Sequence, residues 1–597
     1  MVTPTKTRRR AVQFMNDRPF AQNPLLTRLE QSRVRFLNRF YARWTGFSRP
    51  VTAFVSQPEP KTIGSYARGR QLMAGNFLFA GFLVEAPNSS IWDILRPSAE
   101  FEAHLHGFGW LDDLAAVGDN AARDLARDWL IQWLDRFGKG QGAGWSPELS
   151  GRRVIRWINH ALFLLSGQSK EVSDRYFATL VRQTRFLSKR WHAAPAGLPR
   201  FEALTGLVYA GIALEGHSRL VTPASRAIAE ECVGQVDPEG GIPSRNPEEL
   251  LEVFTLLNWA ATALSEQGQM PLRQHLLAIE RIAPTLRALR HSDGGLARFH
   301  GGGRGPEGRL DQALASSGVR ATANIGLAMG FARLSAGRTS IIIDTHAPPE
   351  TEHSFNAHAS TLGFELTSGR RPIIVNCGSG ADFGPEWRRA GRSTPCHSTL
   401  SIDGYSSSRF VPHRPGLAVI DDLLLEAPRD VRFQQSSGLD GATVLATHDG
   451  YSQTHGLLHV RRLDLSIDGR DLSGEDTLGA LSETDRITFE DLMNQNHLQG
   501  VRFAIRFHLH PDVEPTIDLG GSAVSLVSVS GEVWVFRFSG TSKLSIEPSV
   551  YLESGRLKPR ATNQIVLSDT VLDYSAQVRW SLTRAQDGKS HIRDLHI

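Results

Sequence analysis

The chain reads as a multidomain α+β protein, with helices through residue 340 and an antiparallel β-sandwich over 341–597. Three observations predict this. Before position 340, apolar residues recur at helical spacing in one segment after another. After it come short stretches of alternating apolar and polar residues, punctuated by Asp-Gly pairs. Finally, 597 residues exceed what a single hydrophobic core supports.

Residues 119–137 show the helical pattern most plainly. Leu125, Trp129, Leu130, Trp133, Leu134 and Phe137 repeat behind Asp119, a residue suited to cap a helix N-terminus. Segments 24–45, 151–167, 172–191, 201–218, 222–235, 247–266 and 271–291 behave alike. Joints such as Gly138-Lys-Gly-Gln-Gly, Pro195-Ala-Gly-Leu-Pro and Asp237-Pro-Glu-Gly-Gly separate most of them. Successive helices with short joints pack as antiparallel pairs, and enough pairs curve into a toroid or solenoid. The expected joint to the second part is 292–340. Its glycine-rich His300-Gly-Gly-Gly-Arg-Gly-Pro lacks the ending and the preceding strand of a phosphate cradle, so it reads as a loop.

Beyond Thr339, the segments 340–344, 373–376, 398–402, 460–467, 503–509 and 532–538 read as strands. Turns are expected at Asp403-Gly, Asp449-Gly and Asp468-Gly, and many short strands with such turns indicate a large sandwich.

Composition narrows the class. A hydrophobic fraction of 41% and a charged fraction of 21% are ordinary for a globular protein, and the net charge is +4. Lys6, Arg8, Arg9, Arg10, Arg28, Arg33, Arg35, Arg39 and Arg43 form a basic N-terminal cluster. It reads as a solvated helix face or frayed terminus, and nucleic acid is not an expected partner. No apolar stretch reaches bilayer length, and Phe14, Met15 and Phe20 are too interrupted for a signal sequence. A cytoplasmic location is therefore expected. Cys232, Cys377 and Cys396 show no CxxC spacing, and their odd count argues against a disulfide framework. Cys377 and Cys396 fit neighbouring strands but read as buried, reduced thiols.

Three segments carry the chemistry: Asn356-Ala-His-Ala-Ser-Thr-Leu-Gly-Phe-Glu-Leu, Asn376-Cys-Gly, and Ser393-Thr-Pro-Cys-His-Ser-Thr-Leu-Ser-Ile-Asp. They place His358, Asn376 and His397 on what read as successive strands, among residues that would otherwise fill a core. Imidazoles there are costly unless they bond to something. A two-His, one-carbonyl set is a weakened zinc site, and a buried hydrogen-bond network is the other reading.

The same segments resemble the heparinase II/III family of polysaccharide lyases. Those proteins carry His-x-His-Ala-Asp-x-Leu-x-Phe-Glu-Leu, then Asp-x-Gly, then Ala-His-Asn-Thr. The resemblance implies an (α/α) toroid followed by a heparinase II/III-like β-sandwich. It also implies cleavage of an acidic, uronic-acid polysaccharide or oligosaccharide by β-elimination in the cleft between them, usually in the periplasm. By residue, Asn356 stands where the family's first, catalytic His stands, and His358 where some members bind metal. Asn376 replaces the acidic ligand, and His397 matches the last His. On the helical side, Arg200 or Pro199 occupies the amide position, and Glu249 the catalytic Tyr position.

Elimination needs the carboxylate neutralised, a base for the C5 proton, and an acid for the leaving oxygen. Arg200 suits the first job, while Glu249 needs burial to become a strong enough base. Tyr451 and His448, in Thr447-His-Asp-Gly-Tyr, resemble a pattern of bacterial relatives and are further candidates, with an Asp-Gly turn as the plainer reading. Arg245, Arg388, Arg389 and Arg392 are candidates for an acidic sugar. Arg506, His508 and His510 alternate on one strand face that reads as solvated or interdomain. Tyr209, Trp145 and Trp157 read as core aromatics. The alternative function is a glycan-binding protein that keeps the scaffold without lyase activity.

Overall fold

A computed structural model describes residues 24–45, 51–56, 58–321, 326–410 and 423–585. Lys6, Arg8, Arg9 and Arg10 of the basic cluster lie outside the described residues.

The helical part comprises α1 (Pro24–Trp44), α2 (Tyr66–Met73), α3 (Ala99–Gly107), α4 (Gly109–Val117), α5 (Asn120–Phe137), α6 (Pro147–Asn159), α7 (Ala161–Leu165), α8 (Lys170–Arg190), α9 (Leu198–Ala213), α10 (Val221–Gln235), α11 (Pro247–Glu266), α12 (Arg273–Ala288) and α13 (Arg309–Ser317). Local chemistry sets these ends. Asp119 accepts from the Ala122 amide at 2.7 Å and caps α5, which buries Trp129, Leu130, Trp133 and Leu134. Pro147 and Pro247 occupy first turns, where their missing N–H costs nothing. Asn246 caps α11 by accepting from the Glu248 and Glu249 amides at 3.0 and 3.2 Å.

In α9, every residue from Phe201 to Ala213 is buried, so the helix lies inside the toroid. It meets α6 through glycine: a Cβ on Gly206 would lie 2.6 Å from the Gly151 Cα. Trp145 and Trp157 are core residues, as expected. Apolar periodicity does not signal α2, α3, α4 or α13. Phe108, left-handed at φ 60°, divides α3 from α4, so their apolar residues never share one helical period.

Two eight-stranded antiparallel sheets form the sandwich. One runs Val431–Gly438, Gly441–Tyr451, Leu457–Ser466, Asp471–Gly479, Ser575–Arg584, Val533–Ser539, Ala523–Ser528, Val513–Asp518. The other runs Lys543–Tyr551, Arg560–Val571, Val501–Leu509, Arg371–Val375, Phe364–Ser368, Thr339–Asp344, Phe331–Ala336, and Leu400–Ile402 also pairs with Val501–Leu509. The first sandwich strand thus begins at Phe331, within the stretch expected to be the joint. Asp403-Gly404 and Asp468-Gly469 turn as expected. Asp449-Gly450 does not: the strand continues through it, with a bulge between His448 and Tyr451.

Two buried arginines fasten the toroid side to the sandwich. Arg245, at φ 50°, donates to the Met329, Gly330 and Ala347 carbonyls at 2.8–3.1 Å and to Asp344 at 2.6 Å. Arg298 donates to the carbonyls of Asn376, Cys377 and Leu552 at 3.3, 3.2 and 2.8 Å. Among the described residues no helix is long and apolar enough to cross a membrane.

Candidate functional site

His358 and His397 meet and Asn376 reaches the residue after His397, all from loops rather than successive strands. His358 follows the 3₁₀ turn Thr351–Asn356, Asn376 follows the strand Arg371–Val375, and His397 follows the turn Thr394–Cys396. His358 Nδ1 and His397 Nε2 are 3.0 Å apart. The Ser393 carbonyl, 2.8 Å from His397 Nδ1, needs a proton there, so His397 Nε2 accepts from His358 Nδ1. The His358 amide donates to His300 Nδ1 at 3.1 Å, and His300 Nε2 lies 3.4 Å from Asp344 Oδ2. Asn376 Oδ1 accepts from the Ser398 amide at 2.9 Å.

This cluster is sealed. His300 and His397 are 0% exposed and His358 is 1% exposed. Burial pushes the His397 imidazole down to about 4 and holds His358 well below its ordinary value. Burial would raise the Asp344 carboxyl, but Arg245 and His300 together hold it well below the usual carboxylate range. The set is short of donors for zinc: His358 Nδ1 and His397 Nε2 face each other and the Asn376 carbonyl is taken, which leaves His358 Nε2, a buried nitrogen without a hydrogen-bond partner, and no group of three His, Cys, Asp or Glu that could hold a metal occurs among the described residues.

The other candidates are placed apart from one another. Arg200 pairs with Glu231 at 2.9 Å and with the Ala194 carbonyl at 3.0 Å. Glu249 lines a small cavity with Phe201 and His353, and burial raises its carboxyl. Arg245 fastens the two domains and lines a separate cavity of about 810 Å³ with Asp237, Met329 and His346. Arg392, 1% exposed, donates to the Ala357 and Ser354 carbonyls at 2.7 and 2.8 Å. Arg388 donates to the Phe355 carbonyl and to exposed Asn356 Oδ1, at 2.7 and 3.2 Å. These two arginines shape the loop that carries His358.

Tyr451 is 0% exposed and its hydroxyl meets the Leu400 carbonyl at 3.2 Å; burial raises its phenol well above the usual range. His448 is also sealed, 3.3 Å from His459, which in turn meets Asp476 at 2.8 Å. His508 belongs to no solvated face. Its strand lies inside the sheet, and its ring meets Ser549 at 2.7 Å and the Pro395 carbonyl at 2.9 Å.

What opens between toroid and sandwich is a different surface, a cleft of about 1030 Å³. The toroid supplies Arg68, His104, Asp112, Asp113, Arg156 and Glu248; the joint supplies Arg290, Asp293, Arg298 and 302–311; the sandwich supplies Ser379 and 551–554. Most of its charges are matched. Arg156 meets Asp112 at 2.9 Å, Arg304 meets Asp293 at 2.9 Å, and Arg290 meets Asp311 at 2.7 Å. Arg309 meets Glu252 at 2.8 Å, and Arg298 lies 4.1 Å over the Tyr551 ring. Glu248 accepts from the Gly303 amide at 2.7 Å, and burial raises its carboxyl.

The glycine run, a plain loop by its sequence, is therefore a wall of this cleft. A Cβ on Gly302 would lie 2.4 Å from Asn246 Oδ1, so only glycine lets the loop approach the α11 cap. Sequence reasoning missed the remaining cleft residues because they come from scattered segments with no shared spacing.

Residues 319–581 match the family described as heparinase II/III-like, C-terminal. The FtsZ-localized protein C of Caulobacter vibrioides (strain NA1000 / CB15N) is 31% identical over 551 residues, covering 90% of this chain and 91% of that protein. A crystal structure of heparinase III superposes with a TM-score of 0.65 at 13% identity, covering 95% of this chain and 92% of that one. A mutant heparan sulfate lyase from Pedobacter heparinus gives 0.57 at 15% identity, covering 94% and 89%. At such identities the structural likeness establishes the toroid–sandwich fold.

Proposed function

We propose that this chain, which belongs to the heparinase II/III-like family, binds saccharide in the cleft between toroid and sandwich without carrying out β-elimination there. One observation carries this reading: the open cleft and the residues suited to elimination are separate. Proton transfer at a sugar needs base, acid and carboxylate partner within hydrogen-bond reach of one ring. His397 and Tyr451 are sealed, Arg200 is paired, and Glu249 faces another cavity.

The cleft does suit a polyhydroxylated ligand, because its paired ions present donors and acceptors side by side. Its described lining counts six arginines against seven carboxylates, so nothing there steers a polyanion from a distance. An acidic saccharide such as a uronate polymer would bind through local contacts, with modest salt dependence.

Calorimetric titration with uronate and neutral polymers tests the reading, alongside ultraviolet absorbance for unsaturated uronate. Binding without new absorbance is expected, and Arg304→Ala and Glu248→Gln should each weaken it about tenfold. Unsaturated product that disappears in Glu248→Gln, or no binding to any polymer, would overturn it.

A second reading rests on the relative at 31% identity, whose name places it with FtsZ. Association with FtsZ polymers is the corresponding expectation here. Co-sedimentation checks it, and a pellet free of this chain rejects it.

A further inference from the structure

Cys377 and Cys396, which read from the sequence as buried, reduced thiols on neighbouring strands, are joined by a backbone hydrogen bond. The Cys377 amide donates to the Cys396 carbonyl at 2.9 Å, and the Cys377 sulfur lies 3.6 Å from His508 Nδ1. A backbone hydrogen bond this short sets the two Cα atoms within the roughly 4.4–6.8 Å that a disulfide spans. Both sulfurs are free thiols; Cys377 is buried and Cys396 is half-buried. The positive charge of Arg506 helps to lower the Cys396 thiol, and the buried Arg506 Nη1 has no hydrogen-bond partner. Such a cation favours reaction at the neighbouring sulfur. The third cysteine, Cys232, is buried on α10 in the other domain.

We propose that Cys377 and Cys396 close to a reversible intramolecular disulfide when the protein meets a peroxide, making this turn a thiol modification site. The Cys396 sulfur attacks one peroxide oxygen. An S–O bond forms, the O–O bond breaks, and the departing hydroxide takes the thiol proton to leave as water. The Cys377 sulfur then attacks the sulfenic sulfur. The S–S bond forms, the S–O bond breaks, and hydroxide leaves with the Cys377 proton as a second water. Two thiols lose two electrons, and one peroxide becomes two waters. A dithiol reductant reverses the link by exchange.

The crosslink acts at a structurally connected point. The Cys377 carbonyl accepts from the Leu552 amide at 2.7 Å and from Arg298 at 3.2 Å, and both residues line the cleft. The disulfide therefore ties the turn before His397 to the strand end that holds the cleft floor.

The test treats the full chain with hydrogen peroxide, then counts free thiols after an acid quench and maps the peptides by mass spectrometry. The count is expected to fall from three to one, leaving Cys232, and to return to three with dithiothreitol. Cys232→Ser should lose both of its remaining thiols, and this variant leaves the pair itself untouched. Cys396→Ser should keep both of its thiols. Three surviving thiols in the wild type, a stable sulfenic acid without a crosslink, or links only between chains would overturn the proposal.

Discussion

Asp476 is a sealed carboxylate that accepts from four donors. Arg461 donates to it through Nε at 2.7 Å and through Nη2 at 3.0 Å, His459 lies at 2.8 Å, and the Trp580 indole donates at 2.9 Å. Burial alone would raise its pKa; Arg461 and His459 outweigh that and hold the carboxyl well below the usual range. Removing one partner of such a buried pair strands the other. Asp476→Asn is expected to cost about 3–5 kcal/mol, read as a lower urea midpoint, and adding Arg461→Met should restore part of it. Equal losses in single and double variants would contradict the pairing. The same residue-level view explains what the sequence could say about the candidate site. Polar side chains amid apolar neighbours at 358 and 397 do meet, and the one at 376 bonds to the Ser398 amide next to them. Whether the meeting opens to solvent depends on His300, Asp344 and Arg392, which come from other segments and which no spacing connects to them.

Elements were legible where they carry their own punctuation. The Asp119 cap marked its helix start and the helix expected from 247 begins there, whereas the helix expected from 151 begins four residues earlier, at Pro147. Short helices such as α3 and α4 escaped because neither spans enough turns to show a period. The bulge after His448 escaped because Asp-Gly serves a bulge as readily as a turn. Glycine positions sharpen the distinction between an element and its packing. Gly206 allows α6 and α9 to touch, so Gly206→Val should cost about 1–3 kcal/mol or more through overpacking. At Gly234, inside α10, an added Cβ would meet nothing within 4 Å, so Gly234→Ala should stabilise by about 0.5–1 kcal/mol. Thermal unfolding of the two variants should therefore shift in opposite directions, and a shared direction would refute the helix-contact account.

At the scale of the molecule, both domains bury neutral imidazoles, and this couples folding to pH. In the toroid, burial pushes His106 down to about 3 and His275 to about 4; in the sandwich it pushes His397 to about 4 and His508 to about 3. An unfolded histidine takes its proton near pH 6.5. Between that value and the folded value the unfolded chain holds more protons, so stability rises with pH. The contribution is therefore complete above about pH 6.5 and is lost as pH falls toward about 4. Each histidine supplies a slope of about 1.4 kcal/mol per pH unit inside this window, so four supply roughly 5. Asp344 and Asp476 also have depressed values, but their share survives until pH falls below about 4, the unfolded carboxylate value. The two classes thus separate along the pH axis. The melting temperature is expected to drop steeply between pH 7 and 5, before Asp344 and Asp476 titrate, and His275→Gln should flatten the curve by removing one member of the set. A melting temperature that stays level across that interval would mean that the imidazoles are hydrated or paired with anions in solution. The sealed cluster beside the cleft would then have to be open.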